Sequence, residues 1–329
     1  MKRVTAFILF SMCIILNSFA QNEKESFKPS GKVFVRVFSN FNTTITNGKT
    51  ASAFVLDRAY LGYDFNLSEN FSGKVNFDIG NPGNGSSLEM TAFIKNAYLK
   101  YTLDKFSVSF GMIPTTQFEL QERVWGYRYI EKSFQDDYKI GSSADLGISA
   151  SYTFTNWLSA DVIAINGEGY KKIQADNKFK TGLGLTLTPI KGLTARGYFD
   201  VMGKDSTQST LVGFLGYEFA KGAIGAEYNL QNNFGYGKGK DLSGTSVYAT
   251  VIPFKNIKLF GRYDYVTSTK LIGKTDNWNL SKDGSLIIAG IEFQPVKGVR
   301  ISPNYRLWTP ADKQKSPVNS FFISCDIKF

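Results

Sequence analysis

Apolar and polar residues alternate one by one over most of this chain. In FFISCDIKF, ending at Phe329, apolar Phe321, Ile323, Cys325 and Ile327 alternate with Phe322, Ser324, Asp326 and Lys328. A period of two places one face of an extended strand in an apolar medium and the other in water. Segments with this pattern follow one another at 31–41, 53–67, 71–79, 92–103, 106–113, 144–154, 157–166 and 181–188. They continue at 193–202, 208–219, 223–230, 244–252, 257–267, 284–293, 299–307 and 319–329. Most are close to the length of about 9–11 residues that crosses a bilayer at a tilt.

The connections alternate in length. SEN from Ser68, DK from Asp104, TN from Thr155, PIKG from Pro189, AKG from Ala220, PFKN from Pro253 and QPVKG from Gln294 are short. The connections between these are longer, the longest running from Pro114 to Ser143. An up-and-down membrane barrel has tight turns at one mouth and long loops at the other, whereas a Greek-key sandwich has no reason to. An even number of strands closes the sheet and removes the bare edges that lipid does not tolerate. Aromatic residues support the same reading: Phe71, Phe106, Phe154 with Trp157, Phe219, Phe254 and Phe293 collect at the short turns, as an interfacial girdle requires. The expectation is an all-β fold. It is a sixteen-stranded antiparallel transmembrane β-barrel with short periplasmic turns and long external loops, its last strand closing on its first.

The N-terminus is of another kind. Lys2 and Arg3 precede an apolar run from Val4 to Leu16, then Ser18 and Ala20. This is the pattern of a signal peptide, residues 1–20, cleaved after Ala20. A short segment, 21–30, then leads into the barrel, 31–329. Removing Lys2 and Arg3 lowers the net charge from +10 to +8 and leaves Cys325 as the one cysteine, so no internal disulfide is available. A 15% aromatic content, 31 glycines and a mean hydropathy of −0.16 suit a chain that faces lipid on one side and water on the other.

If the odd residues of the last strand face lipid, parity assigns the rest. Arg36, Arg58, Lys74, Lys100, Arg196, Arg262, Arg306, Asp145, Asp161 and Glu227 point inward and line a solvated lumen. Barrels of about 16–18 strands leave an aqueous channel. The first four and last two strands carry mainly basic inward residues, and strands six to fourteen mainly acidic ones. Two facing walls of unlike charge are therefore expected. The segment Pro114–Ser143 is the third external loop, with helical spacing at Leu120, Val124, Tyr127, Ile130 and Phe134. Loops of this length are usually functional. Folded inward, this one brings Glu122, Arg123, Arg128, Glu131 and Lys132 into a constriction.

The run GMIPTTQFELQERVWGYRYIEKS, with RYIEKS at Arg128–Ser133, and the strand LGISASYTF resemble the phosphate-selective porin O and P family of outer-membrane porins. The resemblance spans about Phe110 to Phe154, with Gly111 and Pro114 ending the strand before the loop. It implies a sixteen-stranded, commonly trimeric porin. The family's arginine ladder and clustered eyelet lysines are interrupted here by acidic residues. A terminal aromatic, Phe329, resembles the signal read by the barrel-assembly machinery.

The function expected is a water-filled channel in the outer membrane of a Gram-negative-type bacterium. It passes small hydrophilic or anionic solutes by diffusion, with a mild anion preference. The residues leave two other readings open. One is a channel specific for phosphate or oligosaccharide, with Tyr60, Tyr98, Tyr198 and Tyr248 as members of an aromatic track. The other is a plugged barrel serving as anchor or adhesin. The chain contains no histidine, which removes a Ser–His triad and histidine metal sites, so neither enzymatic activity nor a cofactor or metal is expected. GYGKGK at Gly235–Lys240 lacks the spacing of a phosphate loop. Charge is dispersed rather than gathered on one face, so no nucleic-acid partner is expected.

Overall fold

The computed structural model describes residues 27–82, 90–203, 205–269 and 283–329, so the leader expected at 1–20 lies outside the described residues. The alternating segments form β1 (Ser30–Thr46), β2 (Lys49–Asn66), β3 (Phe71–Gly80), β4 (Thr91–Leu103), β5 (Phe106–Pro114), β6 (Ala144–Thr155), β7 (Leu158–Ile165) and β8 (Lys180–Leu187). They continue as β9 (Leu193–Gly203), β10 (Thr207–Phe219), β11 (Gly222–Asn232), β12 (Leu242–Phe254), β13 (Ile257–Ser268), β14 (Gly284–Val296), β15 (Val299–Pro310) and β16 (Val318–Lys328). Among the described residues these sixteen strands pair in sequence order, each antiparallel to its neighbours, and β16 closes the barrel on β1. Closure satisfies the backbone of both terminal strands, as a lipid environment demands. It extends to Phe329, whose N–H and C=O both bond to Val35, at 3.1 and 3.0 Å.

The faces follow the expected parity. Val33, Leu61, Phe199, Leu215, Tyr263 and Phe321 are exposed on the outside, while Asp78, Asp200, Asp264 and Asp326 are buried on the inside. Phe71, Phe106, Trp157, Phe219, Phe254 and Phe293 all stand exposed beside the tight turns. The outer surface presents apolar rows to lipid, and the ions share the interior with one another.

Two connections depart from the expected alternation. β1 and β2 are longer than expected and meet in a two-residue turn at Asn47–Gly48, where an external loop of eleven residues was expected at 42–52. Both turn residues have positive φ, 51° and 73°, the geometry for which Asn-Gly is suited in a hairpin. The external connection after β9 is also short, since β10 begins at Thr207.

Two bulges re-aim side chains. Phe38 pairs with Arg58 but Ser39 pairs with Leu56, which leaves Asp57 as the extra residue of β2. Likewise Asn76 pairs with Asn96 but Phe77 with Ile94, which leaves Lys95 extra in β4. A bulge turns an additional residue toward the face its neighbour occupies and inverts the parity beyond it. Phe54, Leu56 and Ile94 accordingly lie on the outside.

Candidate functional site

The connection between β5 and β6 folds into the lumen. It contains α1 (Glu119–Trp125) and α2 (Phe134–Asp137). Glu119 and Glu122 occupy the first turn of α1, where the helix dipole favours acids, and Gly126, at φ 71°, ends it in the left-handed region. The Gly126 N–H bonds to the Glu122 carbonyl at 2.9 Å. Trp125 then turns into a buried aromatic cluster. Its ring lies 5.5 Å from that of Tyr248 on β12 and 6.1 Å from that of Phe260 on β13. Its indole N–H donates to the Glu131 carbonyl at 2.9 Å. Tyr129 reaches the other way, to Phe38 on β1, with ring centroids 6.3 Å apart. The loop therefore touches both walls and divides the lumen.

Polar contacts fix it in place. The Tyr248 hydroxyl donates to the Gln121 carbonyl at 3.0 Å, and Arg196 donates to the Thr116 carbonyl at 2.8 Å. Gln135 donates to Glu227 at 3.0 Å, Tyr129 donates to Glu292 at 2.9 Å, and Arg262 bonds to the Lys132 carbonyl. Within the loop Arg128 binds Glu122 at 2.7 Å and Asp136 at 2.6 Å. Burial opposes the charge on Asp136, yet Arg128 and then Lys132 hold its carboxyl below the usual range. Burial and then Glu131 push the carboxyl of Asp137 up to about 7.

The five loop residues named from sequence take different places. Glu122 and Arg128 are locked together, and Glu131 pairs with Arg306 of β15 at 2.8 Å. Lys132 has no ion-pair partner among the described residues. Arg123 lies away from them, beside Glu218 at 3.8 Å and half exposed. The predicted wall residues all face inward, and most are paired. Arg36 meets Asp326 at 2.9 Å, Arg58 meets Asp78 at 3.0 Å, and Lys74 meets Asp64 at 3.1 Å. Arg196 meets Asp161 at 2.6 Å, and Arg262 meets Asp264 at 2.6 Å. Lys100 is half-buried and has no ion pair among the described residues.

Three of these wall residues do not line open space: Arg196, Arg262 and Glu227 are buried against the loop. Asp145 borders the cavity near the external loops and is held by the N–H groups of Gly167 and Gly169 at 2.8 and 3.0 Å. The expected field between unlike walls is replaced by local pairing, because acids and bases on adjacent strands satisfy one another. Of the four tyrosines considered for a sugar track, Tyr198 and Tyr248 are buried and Tyr60 lies beside Phe38 and Arg128.

Among the described residues, cavities line the lumen on both sides of the loop. The one nearest the tight turns, about 370 Å³, is bounded by Lys32, Arg36, Lys74, Lys95, Arg128 and Lys328 against Asp64 and Glu122. The one nearest the external loops, about 530 Å³, has Lys139, Lys171 and Lys172 in its wall. Between them a chamber of about 220 Å³ shares Arg128 with the first and Arg58 and Lys132 with the second. Parity alone missed Asp57 and Lys95, which reach the lumen through bulges. The signal was present as adjacent polar residues, Asp57-Arg58 and Lys95-Asn96, inside otherwise alternating strands.

No protein-family model and no curated protein matches the sequence. Solved structures match along nearly the whole chain. OmpF of Salmonella typhi, in complex with daunomycin, superposes with TM-score 0.68 at 11% identity, covering 91% of this chain and 97% of that one. The anion-selective porin from Comamonas acidovorans gives TM-score 0.63 at 11% identity, covering 92% and 100%. The trimer form of OmpT, an outer membrane protein of Vibrio cholerae, gives 0.58 at 15% identity, covering 91% and 100%. At these identities the likeness establishes the fold: a porin-type transmembrane barrel.

Proposed function

We propose that this protein is an outer-membrane porin, a water-filled channel for passive diffusion of small hydrophilic solutes with a mild anion preference. The observation that carries the proposal is the charge left over along the open part of the lumen. Lys32, Lys95 and Lys328 border the cavity near the tight turns, and no ion pair engages any of them among the described residues. Unpaired charge in a low-dielectric channel focuses potential and raises the local concentration of counter-ions. The leader-like run at Val4–Leu16 and the aromatic girdle support export and insertion by the barrel-assembly machinery into outer-membrane lipid. The trimer form of the Vibrio neighbour favours a homotrimer.

Selectivity for phosphate is the finer form of this reading, and its support is the resemblance at Phe110–Phe154. An oligosaccharide track is disfavoured, because Tyr198 and Tyr248 are covered. The test is reconstitution in planar bilayers. Discrete conductance steps, with a reversal potential in a KCl gradient modestly toward chloride, are expected. A folded barrel that never conducts would favour the anchor reading, and strong cation selectivity would refute the charge argument.

A further inference from the structure

The middle chamber holds nine ring or charged side chains, with Ile130 and Asn40, at close quarters, and nearly all of its charge is already used. Arg58 is engaged by Asp78, Arg306 by Glu131, and Arg128 by Glu122 and Asp136. Two charges are left over, and they are opposite in sign. Asp57, pushed inward by its bulge, is exposed and accepts one bond, from Asn40 to Oδ2 at 2.6 Å. Its Oδ1 has no partner among the described residues. Lys132 is half-buried, and its Nζ has no partner among the described residues. Asp57 belongs to the barrel wall and Lys132 to the inserted loop, so the two approach the chamber from different elements. Phe38, Tyr129, Ile130 and Phe322 supply apolar surface between them.

We infer that this chamber is a binding site for zwitterionic solutes of α-amino-acid size with an uncharged side chain. The solute's ammonium meets Asp57, its carboxylate meets Lys132, and its side chain lies against the rings. The inference rests on the channel reading above and names the solute class the constriction favours. A simple anion gains Lys132 but faces Asp57 and Glu131, and a simple cation has the reverse difficulty. A zwitterion satisfies both free groups at once. The volume also fits. About 220 Å³ is the space of roughly seven waters at ~30 Å³ each, enough for a solute of about ten heavy atoms.

Leucine, 4-methylpentanoate and 3-methylbutylamine make a matched set, since the second lacks only the ammonium and the third only the carboxylate. Each is titrated calorimetrically into the full-length barrel in detergent, and each is added to single channels carrying KCl current. Leucine is expected to bind at least about tenfold more tightly than either analogue, as one charge-assisted contact warrants. It is also expected to block current at correspondingly lower concentration. Asp57→Asn should bring leucine down to the level of 4-methylpentanoate, and Lys132→Gln to that of 3-methylbutylamine. Equal binding of leucine and 4-methylpentanoate, or leucine binding untouched by both substitutions in a folded barrel, would overturn the assignment. Calorimetry separates the two readings: a barrel that binds leucine but carries no current keeps the site and loses the channel.

Discussion

Trp125→Ala tests whether the inserted loop is held by its aromatic anchor. Trp125 is 1% exposed, packs on Tyr127, Tyr248 and Phe260 at 5.1, 5.5 and 6.1 Å, and lies under the Arg262 guanidinium at 5.1 Å. Truncating a buried tryptophan costs about 3–5 kcal/mol. The strands that receive the ring have their own ladders, β12 with β13 and β13 with β14, so the loss falls on loop docking rather than on the barrel. At ~1.4 kcal/mol per decade, the docked-to-undocked ratio falls about a hundred- to a few-thousand-fold. Amide exchange reads that ratio directly. The N–H groups of Glu122, Gly126, Ile130 and Glu131 are bonded within the loop, so their protection should fall by that factor while strand amides keep theirs. Single-channel current should become noisier in step. Loop amides that stay protected within about threefold would refute the idea that Trp125 carries docking. Strand amides losing protection equally would show that the residue supports the barrel itself.

Deleting Glu119–Lys132 removes the divider, so conductance should rise severalfold; an unchanged value in a folded barrel would place the loop outside the conducting path. Asp137 titrates near 7 against an ordinary value of 3.8, so the docked loop favours its protonated form. Docking therefore weakens as pH rises from about 4 to 7, a dependence that loop amide exchange should show and Asp137→Asn should flatten. Converting Lys32, Lys95 and Lys328 together to Gln should move the KCl reversal potential toward zero. A larger effect from Arg36→Gln, whose guanidinium is already bound to Asp326, would contradict the division into paired and free charge.

Much of the architecture was legible because the medium imposes it. Lipid demands a strict period of two and water on the inner face accepts charge, so the parity of one strand fixed the others. Wrong parity would have put Arg or Lys into lipid at about 2–4 kcal/mol each near the midplane. What failed did so where one residue changes the count. Asp57 and Lys95 sit at bulges, which a fixed period cannot represent. The Asn47–Gly48 turn was hard to read because the apolar row thins out around it: Phe41 and Ile45 are separated by Thr43, and Lys49–Ser52 adds no large apolar residue. The helical spacing of the third loop was visible, but the partners of Glu122, Glu131 and Arg128 were not. The Glu122–Arg128–Asp136 pairs depend on how the loop folds on itself, and the Glu131–Arg306 pair on which strand it meets across the barrel.

The loop also decides which charges a solute meets. Glu227, Asp264 and Glu292 stand on the wall formed by β11, β13 and β14, and the loop and its neighbours engage each of them. Glu227 accepts from Gln135, Glu292 from Tyr129 and Arg300, and Asp264 from Arg262, which itself reaches the loop at Lys132. An acidic wall covered in this way contributes little to the field in the open space. The opposite wall keeps Lys32, Lys95 and Lys328 without an ion pair among the described residues. A sequence with nearly balanced inward charge therefore folds into a lumen whose accessible charge near the tight turns is mostly basic, because the inserted loop covers the far wall's acids with the arginines paired to them and leaves the near wall's lysines open. Such a preference is modest and fades as salt shortens the screening length, to about 3 Å at 1 M. Removing the loop should uncover the acids, so the loop-deleted channel should be less anion-selective as well as more conductive. A deletion that widened the pore yet kept or raised its anion preference would show that the selectivity comes from the lysines alone, without any help from the loop.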